Sequence, residues 1–447
     1  MQKNTELFFS NKSSIEFPDL LENIIKYLSE NYNELINKGG QNEKERLDSI
    51  IHQYLTDNRQ SVKGMSQEET VKALYHECAE YSFLTKYFNF EIDKVESIEI
   101  TSWDCVWIKY AGGKKEISDE HFFSPIHAKN VMNRLVHSDN AKPWVRGHLG
   151  KNIRITVNCG GGTLDDDVGI SASIRFINPN HLTKMDLIRF GTLTPKMMDF
   201  LINAYRYGLS MLLAGETEAG KTTLMSIIMK EAVPDDSKLI TIENTTREFD
   251  LIKRDPKTNE PLNCVVHLVT RDSDDEKQEI GEQTHLEYAM TFNPDYLCMA
   301  EVKGKEAFPT IEAAQTHPVI GTVQNKDAPT IPNRIVQLAS LFCGNLSDKT
   351  LYALTVDSFP ILFYAEKMKD GVRRVTEICE CQLENDRPKA IPLWRFRTDY
   401  NEEVKGKIVV HGEFEKCENI SSTLQKRLRN KGIEESMLQS FLKEGEP

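Results

Sequence analysis

Between residues 208 and 324 short apolar runs alternate with amphipathic stretches. SMLLAG, SKLITIEN, CVVHLVTR, DYLCMAEV and PVIGTVQN are continuous enough to be strands buried on both faces. Between them, KTTLMSIIMKEAV, HLEYAMTF and EAFPTIEAAQ space their apolar residues as helices do. Strand and helix in turn predict an α/β domain around a parallel sheet covered on both faces. The other segments differ in period. LLENIIKYL and ERLDSIIHQYL place apolar residues three and four apart, which predicts a helical arm over residues 1–90, broken at NKGGQNEKE. From 91 to 182, SIEITSWDCVWIKY, NIRITVNCGGG and GISASIRFI read as strands, with a helix through HAKNVMNRLV, a smaller α/β domain.

Residues 183–207 form a linker of two short helices. Thr183 with Asp186 resembles a shortened capping box, and Thr194-Pro195 sets an N-cap before a proline at the first helical position. The nucleotide module is assigned to 208–360. Beyond it, 361–447 reads as an extension, strand-rich through RRVTEICECQLE, AIPLWRFR and GKIVVHGEFE, then helical.

Composition narrows the function. With 39% hydrophobic and 28% charged residues the chain has the make-up of a soluble globular protein, and no run of 18 apolar residues is present. The start, MQKNTELFFSNKSS, lacks the apolar core of a signal peptide. Asp and Glu exceed Lys and Arg by 68 to 55, which disfavours a broad surface for nucleic-acid phosphates. The nine cysteines are scattered without a CxxC pair, as expected of reduced thiols in the cytoplasm. Asp165, Asp166 and Asp167 in CGGGTLDDDVG lack EF-hand spacing and read as a solvated acidic hairpin.

The chemistry gathers in LLAGETEAGKTT. Gly215, Gly220, Lys221 and Thr222 have the spacing of a phosphate-binding loop, with an apolar strand before and an apolar helix after. Backbone N–H groups at the opening of a helix form an anion site; Lys221 would reach the β- and γ-phosphates, and Thr222 would ligate Mg²⁺. Thr217 and Thr223 complete the nucleotide-binding set. Glu216 and Glu218 stand in the same loop. A like charge near 4 Å costs about 1 kcal/mol in water and about 4 kcal/mol at an effective dielectric of 20. Side chains in the middle of such a loop can face away from the phosphates, so weakened or salt-sensitive ATP binding is the expectation. Hydrolysis also needs a strand-end carboxylate; Glu243 after LITI and Glu301 after YLCMA are the candidates.

Taken in order, AGETEAGKTT, LITIENTTREFDL, NPDYLCMAEVKGKEA and QTHPVIGTVQNK resemble the motifs of the type II/type IV secretion (traffic) ATPases, and the tail resembles the CpaF-type Flp/Tad pilus branch. The resemblance implies a RecA-like P-loop domain preceded by a smaller α/β domain. It also implies a homohexamer that binds ATP and Mg²⁺ at the cytoplasmic face of the membrane. The partners implied are inner-membrane platform or secretion-channel proteins, with peripheral membrane association through them and no direct nucleic acid. By motif, Glu243 matches the Asp-box acid and Glu301 the Walker B glutamate, a direct or water-mediated Mg²⁺ ligand with Thr222. His317 matches the first His-box histidine, and Arg154 and Arg175 match N-terminal-domain arginines that approach nucleotide. Departures cluster at the chemistry: Glu216 and Glu218 for glycines, Asn244 for Asp, Ala300 for Gly, Lys303 for Arg and Gln324 for the second histidine. They leave two readings, a secretion, conjugation or pilus-assembly ATPase and a non-catalytic paralogue that regulates or scaffolds a true motor.

Overall fold

The computed structural model describes residues 13–442 apart from 33–40, 93, 111–112, 137–142, 151–152, 161, 177–181, 245–246, 272–277 and 344–345. The chain divides into two compact units, residues 1–178 and 179–447.

In the first unit, the helices Phe17–Asn31, Gln41–Asp57 and Gln67–Ala79 pack through Leu20, Ile24, Leu28, Ile51, Leu55 and Leu74. Ser66 caps the third in a full capping box with Glu69. Two short strands, β1 (Ser13–Ile15) and β2 (Gln60–Val62), pair in parallel beside them. An antiparallel sheet follows, made of β3 (Val95–Ser102), β4 (Cys105–Tyr110), β5 (Lys115–Ile117), β6 (Trp144–Leu149), β7 (Ile153–Asn158) and β8 (Ser171–Phe176) in the order β5-β4-β3-β8-β7-β6. Alternation along β7 and β8 turns Ile153, Ile155, Val157, Ala172 and Ile174 toward the core, where the helix Pro125–Val136 buries Val131, Met132 and Leu135. Arg154 and Arg175 take the other face as directly opposed cross-strand partners. Asp165, Asp166 and Asp167 are exposed in the β7–β8 connection.

A buried pair ties the third helix to the sheet-covering helix. His127 Nε2 lies 3.1 Å from Glu77 Oε2. Arg134 Nη2 donates to the carbonyls of Glu77 and Glu80 at 3.0 and 2.7 Å.

The second unit is built on nine strands: β9 (Met211–Gly215), β10 (Leu239–Glu243), β11 (Val265–Val269), β12 (Tyr296–Val302), β13 (Val319–Val323), β14 (Ile361–Lys367), β15 (Arg373–Glu384), β16 (Arg387–Val404) and β17 (Lys407–Lys416). Their order is β11-β10-β12-β13-β9-β14-β15-β16-β17. Strands β9 to β14 run parallel, and the hairpins from β14 to β17 antiparallel. Met211 and Leu213 face one core with the helices Pro195–Arg206 and Lys221–Ala232; Leu212 and Ala214 face the other with Ala307–Thr316 and Ile331–Ser340. Burial on both faces explains why these strands are continuously apolar. The linker helices start where the caps predict, at Thr183 with Asp186 and at Thr194 with Pro195.

The assignment of residues 361–447 as an extension needs correction. β14 pairs in parallel with β9, and β15 to β17 continue the same sheet. The closing helices fold back to bury Leu424, Leu428 and Phe441 in the β9-side core, with Phe441 edge-on to Phe200. Alternating strands that follow a run of β/α units look like a separate element in sequence, because strand order in a sheet is not sequence order.

Burial pushes the Glu77 carboxyl up, but the His127 imidazole and the Ser82 hydroxyl outweigh it and hold the group below its ordinary value of 4.5. A lowered folded-state value means that the contribution is present above that pH and is lost as pH falls through the folded value. Denaturant unfolding of His127→Ala is expected to show a loss of about 3 kcal/mol near neutral pH, the cost of breaking a buried pair. The gap to the parent closes on acidification, once Glu77 is protonated.

Candidate functional site

Four parallel strands deliver the site from their carboxyl ends. In sheet order these are β10 ending in Glu243, β12 carrying Glu301, β13 running into Gln324, and β9 ending in Gly215. The loop from Gly215 to Gly220 then opens the helix Lys221–Ala232. Gly215 is required by contact: a Cβ there would stand 2.2 Å from the Ala365 carbonyl oxygen on β14. Gly220 is required by conformation, as a left-handed N-cap at φ 83° whose added Cβ would also meet Arg373 at 3.0 Å.

The two loop glutamates are exposed, as is Thr217 between them. Glu218 adopts φ 68°, a left-handed conformation that costs a residue with a Cβ about 1 kcal/mol. Neighbours from the β14–β15 hairpin hold it there. Arg373 Nε donates to the Glu218 carbonyl at 2.8 Å, and Lys367 Nζ stands 3.7 Å from its carboxylate. Glu216 faces a different neighbour: burial, and then Glu216, push the Glu366 carboxyl above its ordinary range.

Lys221 turns onto its own loop, donating to the Gly215 and Glu216 carbonyls at 2.8 Å each. Burial pulls its ammonium down from the ordinary lysine value, and Glu301, Glu248 and Glu216 oppose the shift. Thr222 Oγ1 donates to Glu248 Oε2 at 2.9 Å. Thr223, partly buried, follows in the first turn. Glu301 sits in a β-bulge, where β12 carries one extra residue against β13 between Met299 and Val302, and its Oε1 accepts from Gln324 Nε2 at 2.9 Å.

The structure redistributes the acidic roles. Glu243 is buried with both oxygens committed. Oε1 accepts from the Thr241 hydroxyl at 2.9 Å and lies 3.2 Å from His267 Nδ1; Oε2 accepts the backbone N–H groups of Glu248 and Phe249 at 2.5 and 2.9 Å. These contacts make Glu243 the anchor of the segment that carries Glu248. Sequence reasoning missed Glu248, which ends no strand; the only signal was a second acid in ENTTREFD, directly after the anchored turn.

His317 is also displaced. It caps the helix Ala307–Thr316 and precedes β13, its Nδ1 2.8 Å from Thr316 Oγ1. β13 runs parallel to β9 in the register Ile320↔Met211 to Val323↔Ala214, so His317 lies at the opposite end of the sheet from the loop, roughly 20 Å away at the rise of a strand. Gln324 occupies the end that faces Glu301. Arg154 and Arg175 belong to the first unit, adjacent on its polar sheet face. Asn244 donates to Glu282 Oε1 at 2.6 Å, and Lys303 Nζ stands 3.4 Å from the same oxygen.

The sequence profile of the type II/IV secretion system protein family matches residues 126–355, just over half of the chain. The chain belongs to this family. Over 320 residues this family member is 25% identical to a putative conjugal transfer protein of Mycobacterium tuberculosis, covering 68% of this chain and 85% of that one. It is 32% identical over 187 residues to the type IV secretion system protein PtlH of Bordetella pertussis, 40% of this chain and 52% of the other. Among solved structures, the VirB11 ATPase of the Brucella suis type IV secretion system aligns at 21% identity and a TM-score of 0.34, over 66% of this chain and 96% of that one. For this secretion-family chain the matched span contains the whole phosphate loop, Glu248 and Glu301.

Glu218→Gly removes the left-handed strain and gives up the partly exposed ion pair with Lys367, worth at most about 1 kcal/mol. The variant is therefore expected to bind ADP at least as tightly as the parent, with the largest gain at low salt, where loss of the charge counts most. Titration calorimetry at two ionic strengths checks this.

Proposed function

We propose that this chain is an ATP-hydrolysing motor of a type IV secretion, conjugation or Flp/Tad-type pilus machine. It would work as a homohexamer at the inner face of the membrane, beside a platform or channel protein. One observation carries the hydrolytic part: the first helical hydroxyl, Thr222, meets a carboxylate, Glu248, while Glu301 projects from a neighbouring strand end near Lys221. A nucleotide-binding loop alone needs neither carboxylate.

The oxygen donors fit a hard divalent ion. Thr222, with Glu301 or Glu248, would hold Mg²⁺, which when bound neutralises phosphate charge. The chain's own groups supply the rest. Backbone N–H groups at the start of the helix Lys221–Ala232 receive the phosphates, aided by the helix dipole. Lys221 exchanges its two loop carbonyls for phosphate oxygens. Where Glu301 holds the ion, Glu248, partly buried beside the loop, would orient the attacking water and accept its proton. Gln324 fixes the Glu301 carboxylate by a neutral hydrogen bond where the resemblance leads to a histidine, so that contact carries no protonatable imidazole. Arg154 and Arg175 are proposed to reach bound nucleotide from the first unit.

A regulatory, non-catalytic role is favoured by one feature, the acidic crowding of Glu216 and Glu366 at the loop. Phosphate release separates the two readings. Purified protein with Mg²⁺ and ATP is expected to turn over, faster as concentration drives assembly. Lys221→Ala, Glu248→Gln and Glu301→Gln are expected to lower kcat by about a hundredfold or more. His317→Ala, at the other end of its strand, is expected to stay within about twofold of the parent. Retained ADP binding with no turnover in the parent would select the regulatory reading.

A further inference from the structure

β11 is one of the two edge strands of the nine-stranded sheet, and His267 sits at its centre in register with Thr241 of β10. The imidazole is almost wholly enclosed, with 5% of the side chain exposed beside a Glu243 side chain at 0%. Its polar contacts are at one nitrogen: Nδ1 is 2.7 Å from Thr241 Oγ1 and 3.2 Å from Glu243 Oε1. Nε2 is buried and has no hydrogen-bond partner among the described residues. A buried N–H without an acceptor costs more than a buried bare lone pair, so the proton is assigned to Nδ1, which faces Thr241 Oγ1 and Glu243 Oε1.

We infer that His267 is a positioning residue for ATP hydrolysis, acting through Glu243 on Glu248. The path is continuous. His267 and Thr241 fix one oxygen of Glu243. The other oxygen fixes the backbone N–H groups of Glu248 and Phe249. The Glu248 carboxylate then meets Thr222 at the mouth of the phosphate loop. Rotation of Glu243 about its side-chain bonds would release both backbone N–H groups at once, and the donors at Oε1 are what oppose that rotation. The distance from His267 to the reacting groups is bridged by one side chain and one backbone turn, so a small shift at the imidazole moves Glu248 relative to the water it orients.

The inference rests on the hydrolytic reading above, and its test has one arm that does not. His267→Leu keeps apolar bulk and removes the donor; His267→Asn returns an N–H close to the position of Nδ1. Amide hydrogen exchange at Glu248 and Phe249 reports the anchor directly. In the Leu variant exchange there is expected to accelerate about tenfold, with kcat for ATP falling about tenfold and KM staying within about twofold. In the Asn variant all three are expected to return to within about threefold of the parent. Unchanged exchange in His267→Leu overturns the relay whatever the turnover. Faster exchange with an unchanged kcat overturns its bearing on hydrolysis. Equal impairment by Leu and Asn assigns the effect to ring packing and overturns it too. A parent without phosphate release defeats the hydrolytic reading, while the exchange comparison still decides the anchor.

Discussion

The buried carboxylate of Glu243 is the constraint on which the site depends. A carboxyl group in a protein interior is tolerated only when its oxygens are paired. Here a hydroxyl, an imidazole and two backbone N–H groups meet them. The requirement runs in both directions. The strand end supplies the acceptor, and the backbone N–H groups of Glu248 and Phe249 come back onto it. That closure sets Glu248 against Thr222. Without the carboxylate, Glu248 and Phe249 would lose the acceptor that holds their backbone beside the strand end.

Much of the second unit was legible in the sequence because its signals are local. Thr183, Thr194 and Pro195 mark helix starts through bonds made within three residues. The apolar runs SMLLAG and PVIGTVQN identify strands by burial on both faces. The loop glycines announce themselves by spacing. What stayed hidden is what depends on register between distant strands. Glu243 and Glu248 are five residues apart and equally acidic in the sequence; only the donors around Glu243 separate an anchor from a working group. His317 and Gln324 bracket one strand, and which end faces the loop follows from the parallel pairing of β13 with β9. The continuity of β14 to β17 with the main sheet is invisible for the same reason.

The substitutions that set this chain apart from its family's motifs do not sit in an otherwise unchanged site. Glu218 in a left-handed position is met by Arg373 and Lys367 from the β14–β15 hairpin. Asn244 and Lys303 share Glu282, where burial pushes the carboxyl up but the backbone N–H, Asn244 and Lys303 together bring it below its ordinary range. Glu218, Asn244, Lys303 and Gln324 each have a partner within hydrogen-bond or ion-pair range.

The close approach of the Ala365 carbonyl to Gly215 has a consequence for the order in which the protein comes into being. β9 and β14 are neighbours in the sheet but about 150 residues apart in the chain. During synthesis the loop emerges from the ribosome long before the strand that moulds its backbone. For that interval β9 has an open edge, and the loop lacks the wall against which it is shaped. The nucleotide site therefore matures late, when β14 docks, and a nascent chain halted before that strand carries every loop residue without the site they form.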